Sequence, residues 1–408
     1  TVLNVRTAAG CSNPGMAYLL RLGALVLAFA AGVGTSCAAA PPVRIGLDAE
    51  FGHLTSTSDD AIRMGMLTAI DEINEAGGVL GGRPLELVTR DNRSVPARGV
   101  DNAAELAAIP DLVAMFTGKF SPVVLEQARI LPRLQLPLLD PWAAADDIVP
   151  EKPAGSWAFR LSLRDSWAIP AMAAHLRDSG VQRVGVLLVT SSWGRSNEVQ
   201  LQRHAAAGRK PEVVGTEWYN WGAKTLLPSI RKLRDAGAQA ILFVGNEGEG
   251  SVLARDMASL PDAERLPVVS HWGVTGGNFV ELTGDALPKI DFAVVQTFTF
   301  EGLNTPKAKH VIARAMRLFK LAGARDIPSQ VGFAHAYDLT DILARAIALA
   351  GSTNRAVIRD ALERVSGYQG LVDQFPQPFT PSNHEALAPR HVFMGRFTRA
   401  GTIERLRR

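Results

Sequence analysis

The chain has 408 residues, 47% of them hydrophobic, and a formal charge of +3. No dense Lys/Arg block is present, which argues against a nucleic-acid surface. Its two cysteines, Cys11 and Cys37, sit in or before an apolar leader, so the mature chain has no structural disulfide, thiol nucleophile or zinc–thiolate site.

In chain order the leader comes first. Residues 22–33 (LGALVLAFAAGV) are uninterruptedly apolar, Arg21 precedes them and small residues fill 36–40. This is the layout of a secretory signal. The run falls short of the roughly 20 residues a transmembrane helix needs, although a membrane anchor or a buried helix remains the plain alternative. Met16 is a candidate start, and residues 1–40 are set apart as an export leader. Cys37 follows Gly34-Thr35-Ser36, a partial match to a lipoprotein box, and is a candidate for lipidation. Cleavage after Ala38 or Ala40 explains the same small residues. Roughly 370 residues follow, which at about 100–200 residues per domain implies two domains.

Residues 43–92 open the mature part. A short apolar strand (43–47) runs into a polar loop, then an amphipathic helix, a Gly77-Gly78 stop and a second strand (85–88). Asp59 or Ser58 is the expected helix cap. Ile62, Met66, Ala69, Ile70 and Ile73 share one helical face. Such a βαβ unit predicts an α/β fold with a parallel sheet covered by helices. An exported fold of this kind points to binding rather than to catalysis.

The pattern continues with a helix over 98–108, a strand over 112–116, a helix over 121–133 and a strand over 136–139. An extended passage follows at 157–163. A second alternating series then begins, with helices over 166–179, 195–207, 225–236 and 249–259. Its strands cover 183–189, 212–217, 240–244 and 267–270. Residues 292–300 form another extended passage. Helical stretches at 306–322, 332–350 and 355–364 and a strand pair around Gly401 close the chain. The blocks 43–140 and 183–270 read as two copies of one architecture.

Three segments carry a family resemblance: AIDEINEAGGVLGGRPLELVTRDN (69–92), HAYDLTDILARAIALAGSTNRAVIRDALERVSGYQGLV (335–372) and PFTPSNHEAL (378–387). In this order and spacing the chain resembles the periplasmic substrate-binding proteins of branched-chain amino acid (Leu/Ile/Val) ABC transporters, over essentially all of 43–408. The resemblance implies a type I periplasmic-binding fold: two Rossmann-like lobes with parallel sheets, joined by three crossover strands, with ligand in the cleft between them. Crossovers are expected near 160, 297 and 371–392. Lobe 1 would take 41–161 and 299–370, and lobe 2 would take 162–298 and 371–408. Hinge closure around ligand is the implied mechanism. The implied partners are a small ligand and an ABC permease in the inner membrane. The implied state is a periplasmic, possible lipid-anchored monomer without cofactor, metal or catalytic residue.

In open α/β sheets ligands bind beyond the carboxyl ends of strands, and five loops occupy that place. After the first strand, Glu50 would meet a ligand amine and Phe51 would cover it; the plain alternative is a solvated loop. Lys119, Phe120 and Ser121 form the second loop. In the family this loop offers a hydroxyl and backbone N–H groups to a ligand carboxylate, and Ser121 also suits an ordinary N-cap. Trp142, Ala143 and Ala144 resemble the family's Ser-Pro-Ala-Ala-Thr loop, with Ala144 where its Thr would stand. Trp193 matches an aromatic that closes over the ligand from the second lobe, against a plain role as a core residue. Glu247 is the nearest substitute for the family's ammonium-binding acid, because His271 and Trp272 occupy the place where that acid is expected. This cleft, rich in aromatics and poor in acids, predicts an aromatic, amide-like or bulky apolar ligand, while the family resemblance implies a small amino-acid-like, amide or aromatic one.

Two other readings remain. The Gly-rich run at 245–250 lacks dinucleotide-fingerprint spacing. No Walker A, G-x-S-x-G or H-E-x-x-H sequence occurs, and the eight histidines are scattered, which leaves an exported hydrolase as a weak alternative. A ligand-sensing module of a signalling system would share the same fold.

Overall fold

The computed structural model describes residues 40–53 and 56–406. The leader and its candidates Cys11, Met16 and Cys37 lie outside the described residues. Among the described residues no helix is long and apolar enough to cross a membrane.

The expected βαβ unit is present. Strand β1 (Val43–Ala49) is almost wholly buried, and helix α1 (Ser58–Glu75) buries Ala61, Ile62, Met66, Ala69 and Ile70. Gly77 and Gly78 end it at positive φ, with Gly78 N donating to Ile73 O. Strand β2 (Leu85–Asp91), helix α2 (Pro96–Ala107), strand β3 (Leu112–Thr117), helix α3 (Ser121–Leu134), strand β4 (Leu138–Asp140) and strand β5 (Ala158–Arg160) complete the first block. The sheet order is β2-β1-β3-β4-β5, and every pairing is parallel.

The second block repeats the plan: α4 (Asp165–Asp178), β6 (Arg183–Val189), α5 (Ser192–Ala206), β7 (Glu212–Tyr219), α6 (Leu227–Asp235), β8 (Ala240–Val244), α7 (Glu247–Ser259), β9 (Val268–Ser270), α8 (Phe279–Thr283) and β10 (Phe292–Gln296). Its parallel part runs β7-β6-β8-β9-β10, the same order as the first sheet. The chain then returns through α9 (Pro306–Phe319), α10 (Gln330–Ala350) and α11 (Arg355–Leu362) and a small antiparallel pair, β11 (Tyr368–Gln369) and β12 (Gln374–Phe375). The hairpin β13 (Phe393–Phe397) and β14 (Ile403–Arg405) adds two antiparallel strands beside β10.

Helix α10 lies on the first lobe. A Cβ on Gly65 of α1 would stand 2.1 Å from Phe333 O, so only glycine permits that approach. Residues 371–385 also lie on this side. Leu371 N and Val372 N donate to the Asp338 carboxylate at 2.7 and 2.9 Å, and Arg160 N donates to His384 O at 2.8 Å. The segment 371–408, expected in one lobe, is therefore divided: 371–385 stays with the first sheet, and the second receives 393–405.

One cap differs from expectation. Thr57 is the N-cap residue of α1 and makes no side-chain cap bond. The Asp59 carboxylate turns away from its own helix and accepts from Glu50 N and Lys119 N, both at 2.7 Å. Those two N–H groups sit in the loops after β1 and β3, where no other strand satisfies them.

Candidate functional site

Both sheets reverse their strand order at an equivalent place, between β1 and β3 in one and between β6 and β8 in the other. A crevice opens at such a switch point. The two crevices face each other. Lys119, after β3, reaches Glu247, after β8, with Nζ 3.2 Å from Oε1, and both side chains are more than nine-tenths buried. Lys119 Nζ also donates to Ser56 Oγ. Burial opposes the lysine's charge, but Glu247, Asp59 and Glu50 outweigh it and hold the pKa above its ordinary value. Burial pushes Asp59 up to about 6, against Lys119 and the two N–H donors. Glu50 faces His53 at 3.2 Å, and Phe51 lies under the Arg63 guanidinium, 5.1 Å from its ring centre.

Two polar atoms beside this pair are left over. Among the described residues, Glu247 Oε2 and Ser58 Oγ are buried without a hydrogen-bond partner. A Cβ on Gly276 would stand 3.0 Å from the former and 3.4 Å from the latter. An unpartnered carboxylate oxygen is an acceptor available to a ligand N–H or O–H.

Aromatic rings fill the rest of the interface. Trp142 and Trp272 meet across it with ring centres 5.1 Å apart, and Phe120 meets Trp221 at 5.6 Å. Trp193 packs edge-on against His271 at 5.0 Å. Trp193 Nε1 donates to Asp165 Oδ1 at 3.1 Å, and His271 Nε2 lies 3.0 Å from the same oxygen. His271 Nδ1 accepts from Trp272 N at 2.9 Å. Burial holds Asp165 above the usual carboxylate range, with His271 opposing.

The loop after β4 departs from expectation. Ser121 is the first residue of α3 rather than its cap, and its Oγ accepts from Ala145 N at 3.3 Å. That hydroxyl ties two loops together. Asp140 Oδ1 accepts from Trp142 N and Ala143 N at 3.0 and 2.7 Å. Burial raises Asp140 to about 7, opposed by Arg160 and these two N–H groups, and Oδ2 has no partner among the described residues. Ala143 O and Ala145 O accept from Arg160 Nη1 at 3.2 and 2.8 Å, and Ala144 O accepts from Asp165 N at 3.0 Å. His335 Nδ1 donates to Pro141 O at 2.9 Å and its Nε2 accepts from Thr297 Oγ1; burial lowers its pKa to about 3, so the ring is neutral.

The structure thus joins Lys119 with Glu247, Trp142 with Trp272 and Trp193 with His271. Sequence reasoning missed Trp221, Asp165, Arg160 and His335, and took Asp59 for a helix cap. Trp221 had one available signal, an aromatic beside Gly222 in a strand-end loop. The buried charges had none.

Known proteins share this fold. The family model described as periplasmic binding protein matches residues 42–401. The Leu/Ile/Val-binding protein homolog 3 of Brucella melitensis biotype 1 is 24% identical over 337 residues, covering 80% of this chain and 84% of that one. The Leu/Ile/Val-binding protein BraC3 of Rhizobium johnstonii is 25% identical, covering 77% and 81%. Among solved structures, a periplasmic binding protein type 1 from Bordetella pertussis Tohama I superposes with TM-score 0.79 at 20% identity, over 90% of this chain and all of that one. LivJ of Streptococcus pneumoniae in complex with isoleucine gives 0.75 at 20% identity, over 89% and 98%. A solute-binding protein of R. palustris in complex with benzoate gives 0.72 at 16%, over 90% and 96%.

Proposed function

The chain belongs to the periplasmic binding protein family, and on that premise we propose that it is the solute-binding receptor of an ABC importer, closing two lobes around a small ligand. Membership implies an extracytoplasmic location. The finer reading is a periplasmic receptor that delivers to an inner-membrane permease, acts as a monomer, binds no nucleic acid and performs no catalysis. Its export leader is removed or, through Cys37, lipidated. The moving bodies are 41–161 with 299–385, and 162–298 with 386–406.

The observation that supports this reading is the Lys119–Glu247 pair. Two charges from opposite lobes are desolvated in one interface, with a carboxylate oxygen left over beside them. Burying an unneeded pair in this way is unfavourable for a merely structural contact. The aromatic walls favour a ligand with an amino-acid-like, amide or aromatic body. The relatives are named for leucine, isoleucine and valine, and the solved structures hold isoleucine or benzoate, which spans that range.

A thermal-shift screen of the purified protein against amino acids, aromatic acids and amides tests the reading. A ligand at 100 times its dissociation constant adds about 2.7 kcal/mol of stability. No shift with any compound, from a folded protein, overturns it.

A further inference from the structure

Asp146 follows the cleft loop and is attached to the opposite lobe. Its Oδ1 accepts from Arg164 Nε at 3.0 Å, Ser166 Oγ at 2.8 Å and Ser166 N at 3.3 Å. Its Oδ2 accepts from Gln200 Nε2 at 2.7 Å, and its N–H donates to Ser196 Oγ at 3.2 Å. Arg164 and Ser166 flank the start of α4, and Ser196 and Gln200 lie on α5.

The loop that carries Asp146 is rigidly mounted. Arg160, wholly buried, holds two of its carbonyls and forms a bidentate pair with Glu385 (Nη2–Oε1 2.6 Å, Nε–Oε2 2.9 Å). Arg160 and Glu385 are the last residues before two of the crossovers, and Ala386 N donates to Arg160 O at 2.8 Å. One guanidinium therefore joins the cleft loop to the roots of both crossovers.

These contacts differ from those of Lys119 and the tryptophans. A ligand in the cleft can replace those side-chain contacts. It cannot replace the Asp146 contacts, which lie at a separate cavity of about 250 Å³ lined in part by Asp146, Arg164, Ser166, Ser196 and Gln200. The bonds from Asp146 to α5 exist only while the lobes are together, so they contribute a differential free energy between the open and closed states.

We propose that Asp146 is a positioning residue: the clasp by which the cleft loop, braced by Arg160, holds the second lobe closed once a ligand occupies the cleft. This rests on the receptor reading above. Removing the clasp lowers the closed population and, in proportion, the apparent affinity. The loss falls mainly on the dissociation rate, because the open-state encounter surface is unchanged.

The test compares the purified wild type with Asp146→Asn and with Gln200→Ala, using L-leucine and benzoate as probes. X-ray scattering reads closure, stopped-flow fluorescence reads the rates and urea titration reads stability. The expected result is that wild type contracts with a probe, while both variants keep its urea midpoint, contract less and release it about tenfold faster. Gln200→Ala keeps the carboxylate and guards against misfolding of the first variant. Variants that contract and release like wild type overturn the clasp and leave the receptor reading intact. A shifted urea midpoint with unchanged contraction does the same, because it makes Asp146 merely structural. A wild type that neither binds nor contracts with either probe, and shifts with no compound in the thermal screen, removes the receptor reading and the clasp together.

Discussion

Two strand-end loops of the first lobe reach the cleft in opposite ways. Loop 118–121 sends a charged side chain across, and Lys119 finds Glu247 in the other sheet. Loop 140–145 directs its polar groups inward, to Asp140, Ser121 and Arg160, and offers the cleft an indole. The first loop makes a contact that water can replace when the lobes part. The second is a fixed platform whose charges never see solvent. Removing Lys119 should therefore open the cleft, whereas removing Arg160, which braces the second loop, should destabilise the lobe itself.

The sharpest break of that contrast is Arg160→Met. It leaves Glu385, only 5% exposed, without its bidentate partner. Loss of one member of a buried pair destabilises by about 3–5 kcal/mol, and urea unfolding should show a loss of that size. A loss below about 1 kcal/mol would place Arg160 with the surface pairs instead.

Lys119→Met should act differently. Glu247 would be stranded in the closed form, but opening rehydrates it. The penalty of about 1–3 kcal/mol should therefore appear as a shift toward open lobes in solution scattering, with little change in the urea midpoint. An unfolding loss as large as that of Arg160→Met would erase the contrast.

Protonation separates the platform further. Burial raises Asp140 to about 7 and Asp48, despite donors from Asn92, Asn102 and Gln127, also to about 7. Both values exceed the unfolded range near 3.8, so the folded state binds more protons than the unfolded state between about pH 4 and 7. Stability should therefore fall as pH rises through that window. Asp140→Asn keeps the Oδ1 acceptor and removes the ionisation. It should flatten part of the fall, read as urea midpoints at both ends of the window. An unchanged slope would show that Asp140 stays ionised throughout.

The smallest expected effect is Trp142→Leu, which removes the aromatic contact with Trp272. About 0.5–1.5 kcal/mol beyond the lost area is at stake. Weaker closure at equal fold stability, read by scattering, would put that contact in the moving interface. A change in stability alone would put it in the platform.

What could be read in the sequence was local. The strand of 43–49, the face of α1, the Gly77-Gly78 stop and the repeat of strand and helix all follow from short-range burial patterns. Those patterns also place loops at strand ends, which is why Lys119, Trp142, Trp193, Glu247 and Trp272 were legible as strand-end residues. Their partners were decided only by the tertiary structure. Asp59 looks like a cap in sequence because an acid at a helix start has a local use, yet in the fold its oxygens bind the Glu50 and Lys119 amides, the latter 60 residues away. Lys119 and Glu247 are 128 residues apart, and Arg160 and Glu385 are 225 apart. No period links residues at such separations. They are joined because two sheets of the same order present their switch points to each other, and a buried charge accepts whichever opposite charge the fold brings within reach.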